Sequence, residues 1–118
     1  FELTLENRGD DAAQFFLNRV ELVYGGRTIT PHNRFHLEEY WKFKEEQWGT
    51  NPSYSVSRES TIRKTVLPNS YTLRPDGVMK GYLVFLGNTP AHGEAVVYVP
   101  VYRTKDEEIE LFTFTYQF

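Results

Sequence analysis

Hydrophobic and polar residues alternate along much of the chain. Phe1, Leu3 and Leu5 share one face of an extended segment and Glu2, Thr4 and Glu6 the other, so Phe1 to Glu6 reads as a half-buried strand. Asn7-Arg8-Gly9-Asp10-Asp11 has the composition of a turn. Phe15 to Tyr24 predicts a second strand in which Phe16, Val20, Leu22 and Tyr24 share a face that Asn18 interrupts. Gly25-Gly26 then supplies the positive φ of a tight hairpin before Arg27 to Thr30.

Pro31 to Trp48 breaks the alternation. His36 to Gln47 is rich in helix formers and holds no Gly or Pro, which predicts a short helix ended by Gly49 to Ser53. Alternation resumes weakly over Tyr54 to Ser60 and better over Thr61 to Leu67. Pro68-Asn69-Ser70 and Arg74-Pro75-Asp76-Gly77 are turns. Val78 to Leu86 predicts a strand, with Tyr82, Val84 and Leu86 opposed to Leu83 and Phe85, and Gly87 to Gly93 a loop. Glu94 to Arg103 sets Ala95, Val97, Val99 and Val101 on one face, with Pro100 marking an edge or a bulge because it has no backbone donor. Glu108 to Phe118 is the most emphatic strand, with Phe112, Phe114, Tyr116 and Phe118 against Thr113, Thr115 and Gln117.

About seven short strands with turns between them, and one short helical insertion, predict an all-β antiparallel sandwich. A parallel design would need a helix between successive strands. The 118 residues fit one domain, 1–118, and the 16% aromatic content agrees with strands. A net charge of -3 gives no basic field for a phosphate backbone, so nucleic acid is not the expected partner. The absence of Cys removes disulfides, thiolate metal sites and a cysteine nucleophile. No run approaches the roughly 18 apolar residues of a membrane helix. The chain opens on Phe1 inside a strand rather than on Met, as a trimmed or mature chain does, and a signal or lipid anchor upstream is compatible with that.

Three stretches carry a family resemblance. They are Phe1-Glu2-Leu3-Thr4-Leu5-Glu6-Asn7, the run from Phe16 to Tyr24 into its Gly turn, and the run from Leu73-Arg74-Pro75-Asp76-Gly77 through Gly81-Tyr82-Leu83-Val84-Phe85. Together they resemble the small bacterial immunoglobulin-like domains of secreted proteins and lipoproteins, the mycobacterial immunoprotective extracellular antigen type among them. Asp76 stands where that family usually has Gly, and Pro31 to Ser60 has no counterpart in it. The resemblance implies an immunoglobulin-like sandwich and an extracytoplasmic address: secreted, periplasmic or lipid-anchored. It implies no shared catalytic residues.

Few residues invite chemistry. His32 and His36 are four apart with Glu39 beyond, the spacing of a two-histidine metal site on a helix, but Pro31 and Asn33 start the helix after His32. Surface histidines beside a helix start are therefore expected, with no metal and no cofactor. Glu38, Glu39, Glu45 and Glu46 offer carboxylates for a small hydrolase, yet with Lys42 and Lys44 they read as a solvated helix face. Arg58, Arg63 and Lys64 form a small basic group diluted by Glu59, and His92 lies in a loop. No Gly-x-Ser-x-Gly elbow or phosphate-binding Gly loop is present.

Tyr40, Trp41, Phe43 and Trp48 form the densest aromatic cluster and are the candidate binding residues, for a protein partner or a glycan. The same rings packed over one end of the sandwich are the competing reading. The leading expectation is a non-enzymatic binding or assembly module acting through protein contact. A glycan- or small-molecule-binding module and a small hydrolase are the alternatives. The partner and the oligomeric state stay open.

Overall fold

The computed structural model describes residues 1–48, 60–85 and 93–117, and of residues 45–48 the backbone only. Among these, eight strands pair in antiparallel sheets. They are β1 (Glu2–Glu6), β2 (Ala13–Phe16), β3 (Glu21–Tyr24), β4 (Arg27–Ile29), β5 (Ser70–Leu73), β6 (Val78–Tyr82), β7 (Glu94–Arg103) and β8 (Ile109–Gln117). Helix α1 (Arg34–Trp48) and a helical segment α2 (residues 60–65) stand between β4 and β5. The expected strand over Tyr54 to Ser60, the loop at Gly87 to Gly93, and Leu86 and Phe118 lie largely or wholly outside the described residues.

β1 and β6 form a two-stranded sheet that pairs Leu3 with Gly81 and Leu5 with Met79. The other six strands form the second sheet, built around β7. The expected face of β7 is the observed one: Ala95, Val97, Val99 and Val101 are buried, while Val96, Tyr98 and Tyr102 between and beside them are partly exposed and Pro100 is buried as well. The two sheets share one core. Leu3, Leu5, Met79 and Leu83 come from the small sheet and its continuation, and Phe15, Val20, Val97 and Val99 from the large one. Phe15 is fully buried, worth about 1.5–3 kcal/mol by transfer of its ring from water.

Four expectations are corrected. First, the run from Phe15 to Tyr24 is two strands, not one. Both pair with β7, Phe15 opposite Val101 and Glu21 opposite Tyr98. Between them Phe16, Leu17, Asn18, Arg19 and Val20 span only Val99 and Pro100, because Leu17–Arg19 winds into a 3-10 turn. That turn resets the alternation, so Phe15 is buried and Phe16 is not.

Second, of the edge or bulge expected at Pro100, the edge is excluded, because Pro100 lies in β7 inside the large sheet. It sits where the ladder skips between β2 and β3, a place where a residue without an N–H costs little.

Third, Thr61 to Leu67 is helical over most of its length. Val66 N donates to Ile62 O (2.9 Å) and Thr65 Oγ1 to Thr61 O (2.7 Å). As a strand it would set Lys64 on one face with Ile62 and Val66. As a helix it turns those two, four apart, together toward Leu37. The helical insertion is accordingly longer than one short helix.

Fourth, β5 lies between the two expected turns, where no strand is expected. Three of its four residues are exposed, so no alternation marks it. It pairs with β2. With the division of Phe15 to Tyr24 adding a strand and the helical Thr61 to Leu67 removing one, the described residues hold eight strands where about seven are expected.

The turns follow their residue types. Gly25 and Gly26 have φ of 56° and 76° and close the β3–β4 hairpin. Gly77 N donates to Arg74 O (2.7 Å), with Pro75 and Asp76 between them and Asp76 at φ 63°. Asn7 ties this turn to the β1–β2 turn. Its Nδ2 donates to Asp11 O (2.8 Å) and Leu73 O (2.9 Å), and its Oδ1 accepts from Gly9 N (3.0 Å).

Candidate functional site: a helix face, an edge strand and a polar cleft

Asn33 caps α1: its Oδ1 accepts from His36 N (2.8 Å), which fixes the helix start after His32 as expected. Two further bonds hold that start to the body of the fold, His32 N to Val84 O (2.8 Å) and Arg34 Nε to Val66 O (2.8 Å). From there the helix splits the aromatic cluster. Leu37 and Trp41, one turn apart, pack against Ile62, Val66 and Val84. Tyr40 and Phe43 face away, with Phe43 57% and Phe35 64% exposed. Tyr40 stands edge-on to Trp41 (5.5 Å between centroids) beneath the Lys44 ammonium (5.6 Å). Trp41 is thus part of a second small core, Tyr40 and Phe43 remain on the surface, and the Trp48 side chain lies outside the described residues.

The other candidates do not assemble into catalytic sets. Glu38 Oε1 accepts from Arg63 Nε (3.0 Å), joining α1 to α2, and Glu39 is exposed on the helix. The side chains of Glu45 and Glu46, and Arg58, Glu59 and His92, lie outside the described residues. Lys64 is exposed. Among the described residues, no three His, Cys, Asp or Glu side chains gather around a common point.

Two features emerge that the linear pattern did not single out. The first is the outer side of β8. Among the described residues β8 pairs only with β7, along its whole length from Tyr102–Ile109 to Glu94–Gln117. Phe112, Phe114 and Tyr116 lie on the core side of the sheet. Phe1 covers two of them, with ring centroids 5.7 Å from Phe114 and 5.1 Å from Tyr116. Partial burial pushes the Tyr116 phenol above its ordinary range. Phe112 is left half-exposed. On the opposite face Ile109 (57%) and Leu111 (58%) point to solvent, and at the strand's start Arg103 pairs with Glu110. Apolar residues on both faces of a strand were the available signal.

The second feature is a cleft of about 690 Å³ where three segments meet: Phe16 to Asn18, Thr30 to Asn33 with His36, and Asn69 with Ser70. Leu17 N donates to Asn69 O (2.9 Å) and closes one wall. His32 and His36 both line it, with ring centroids 6.2 Å apart and the rings nearly perpendicular. The sequence pairs these two histidines but cannot show Asn18 or Asn69 beside them, because those arrive from separate strand ends.

Comparison of the chain with protein-family models, with curated proteins and with solved structures gives no match. The likeness to bacterial immunoglobulin-like domains therefore rests on the three stretches of strand and turn described above.

Proposed function

We propose that the chain is a non-enzymatic, immunoglobulin-like module of an extracytoplasmic protein and that it works by protein contact. One observation carries this reading: β8, nine residues long, has Ile109, Leu111, Phe112 and Tyr116 exposed, and among the described residues its outer edge has no strand beside it. Such an edge offers a row of backbone donors and acceptors to an incoming strand, and apolar side chains on both faces to grip it. Natural sheets usually guard such an edge with charge, proline or a bulge. Here Glu110 is the one charged residue within the strand. The exposed Tyr40 and Phe43 on α1 extend the apolar surface available to a protein. The two-layer packing and the family likeness support the immunoglobulin-like and extracytoplasmic parts of the proposal.

The test is a paired capture from extracytoplasmic extract of the source cells, with the intact chain and with an Ile109→Lys/Leu111→Lys variant as bait. Both side chains point to solvent, so the variant should melt within a few degrees of the parent. A protein held by the parent and lost by the variant supports contact through β8. Equal capture by both baits, or none by either, overturns it.

A further inference from the structure

We infer that the cleft between the 3-10 turn and the start of α1 is a binding site for a neutral polyhydroxylated ligand, a saccharide. This site is separate from β8 and from the α1 aromatics, and it does not depend on the protein-contact reading.

The argument begins with charge. Among the described residues, no carboxylate, ammonium or guanidinium lines the cleft, although a quarter of the chain's residues are charged. Its polar lining consists of amides, hydroxyls and imidazoles: Asn18, Asn33, Asn69, His32 and His36 carry most of it. Each amide both donates and accepts, and so does a neutral imidazole. Sugar hydroxyls do the same, so adjacent hydroxyls on a ring match this lining better than an ion would.

These groups are also idle. The Asn33 Oδ1 caps the helix, but the side chains of Asn18, Asn69, His32 and His36 make no hydrogen bond among the described residues. Asn7 shows the contrast: its side chain serves three backbone partners in a structural turn. The charged concavity around Asn7 is likewise occupied by its own pairs, Arg8 with Glu6 and Arg103 with Glu110.

The walls are held in place. Leu17 N to Asn69 O, His32 N to Val84 O and Arg34 Nε to Val66 O tie the three segments to the fold, so little ordering remains to be done on binding. Phe16, half-exposed and braced edge-on by Tyr102 (5.6 Å), adds a ring against which the C–H face of a sugar can lie. The volume of about 690 Å³ falls within the roughly 300–1,000 Å³ of small-molecule sites.

A metal is the other ligand that two histidines invite. Here the donor set stops at two imidazoles, with no third His, Cys, Asp or Glu beside them among the described residues, whereas zinc sites take three or four protein ligands.

The experiment is an NMR titration of the intact chain with neutral saccharides: glucose, galactose, mannose, N-acetylglucosamine and their short oligomers. A parallel titration uses Ni²⁺ and Cu²⁺. The expected result is saturable shifts of the Asn18, Asn33 and Asn69 side-chain amides and of both imidazoles with at least one sugar. Asn69→Ala and His36→Ala should each weaken that sugar tenfold or more with the melting temperature within a few degrees of the parent, since both side chains are exposed and neither makes a hydrogen bond among the described residues, the His36 ring lying only against His32 and Phe35. The inference is overturned by any of three results: no sugar moving these resonances at millimolar concentration, shifts confined to Tyr40 and Phe43, or a response to the metal ions alone.

Discussion

At the residue scale, the β5–β6 turn shows how a sequence departs from a pattern and still keeps the geometry. Asp76 occupies a position with φ 63°, in the left-handed region that Gly enters freely and Asp tolerates. Asp76→Gly relieves that strain while adding freedom to the unfolded chain. The two effects oppose, and stability should stay within about 0.5 kcal/mol of the parent. Asp76→Val places a β-branched residue at the same φ and should destabilise by about 1–3 kcal/mol. Urea unfolding of the three proteins checks both, and a Val variant as stable as the parent would refute the strain argument. This turn was legible in the sequence because Pro75, Asp76 and Gly77 each carry a backbone preference of their own. The inward placement of Phe15 instead of Phe16 was not, since it depends on how many residues the 3-10 turn consumes. Asn18, which interrupts the apolar face, was its one visible mark.

At the scale of elements, β7 and β8 were readable from alternation alone, because each is long and shows two distinct faces. α1 was readable from helix formers without Gly or Pro. α2 was not, because Ile62 and Val66 fit either period over so short a run. Only the facing Leu37 and Trp41 decide it. The same contact sorts the aromatic cluster by role. Trp41→Ala removes a ring from the α1–α2 core and should destabilise by about 2–4 kcal/mol. Phe43→Ala removes an exposed ring and should change stability by no more than about 0.5 kcal/mol. Thermal melts separate them, and equal losses would contradict the division of the helix into two faces. The sequence placed the four candidate aromatics on a helix, and α1 holds them all. The sequence could not say which rings turn inward, because that depends on where α2 lies.

At the scale of the whole molecule, the shortest dimension of 18 Å is what two stacked layers give. The layers differ in how the chain builds them. β7 and β8 are joined by a short turn at Thr104 to Glu108, whereas Phe1 N reaches Leu83 O across 82 residues. Closing so long a loop costs entropy that local pairing avoids. Native-state amide exchange should therefore show Leu3 and Leu5 opening at lower free energy than Val97 and Val99. Equal protection would mean that the small sheet and β7 open only together. Gly81 sharpens the point, since an added Cβ there would lie 2.7 Å from a Leu67 methyl and 3.0 Å from the Thr65 carbonyl oxygen. At Gly81 the two-stranded sheet thus lies almost flush on the segment leaving α2, while Leu3 and Leu5 of β1 face the core they share with the large sheet. On that exchange result the amino-terminal strand would be a clasp, closing late and lifting first. With the clasp lifted, the apolar surface that Leu3 and Leu5 cover would be open to any other extended chain nearby.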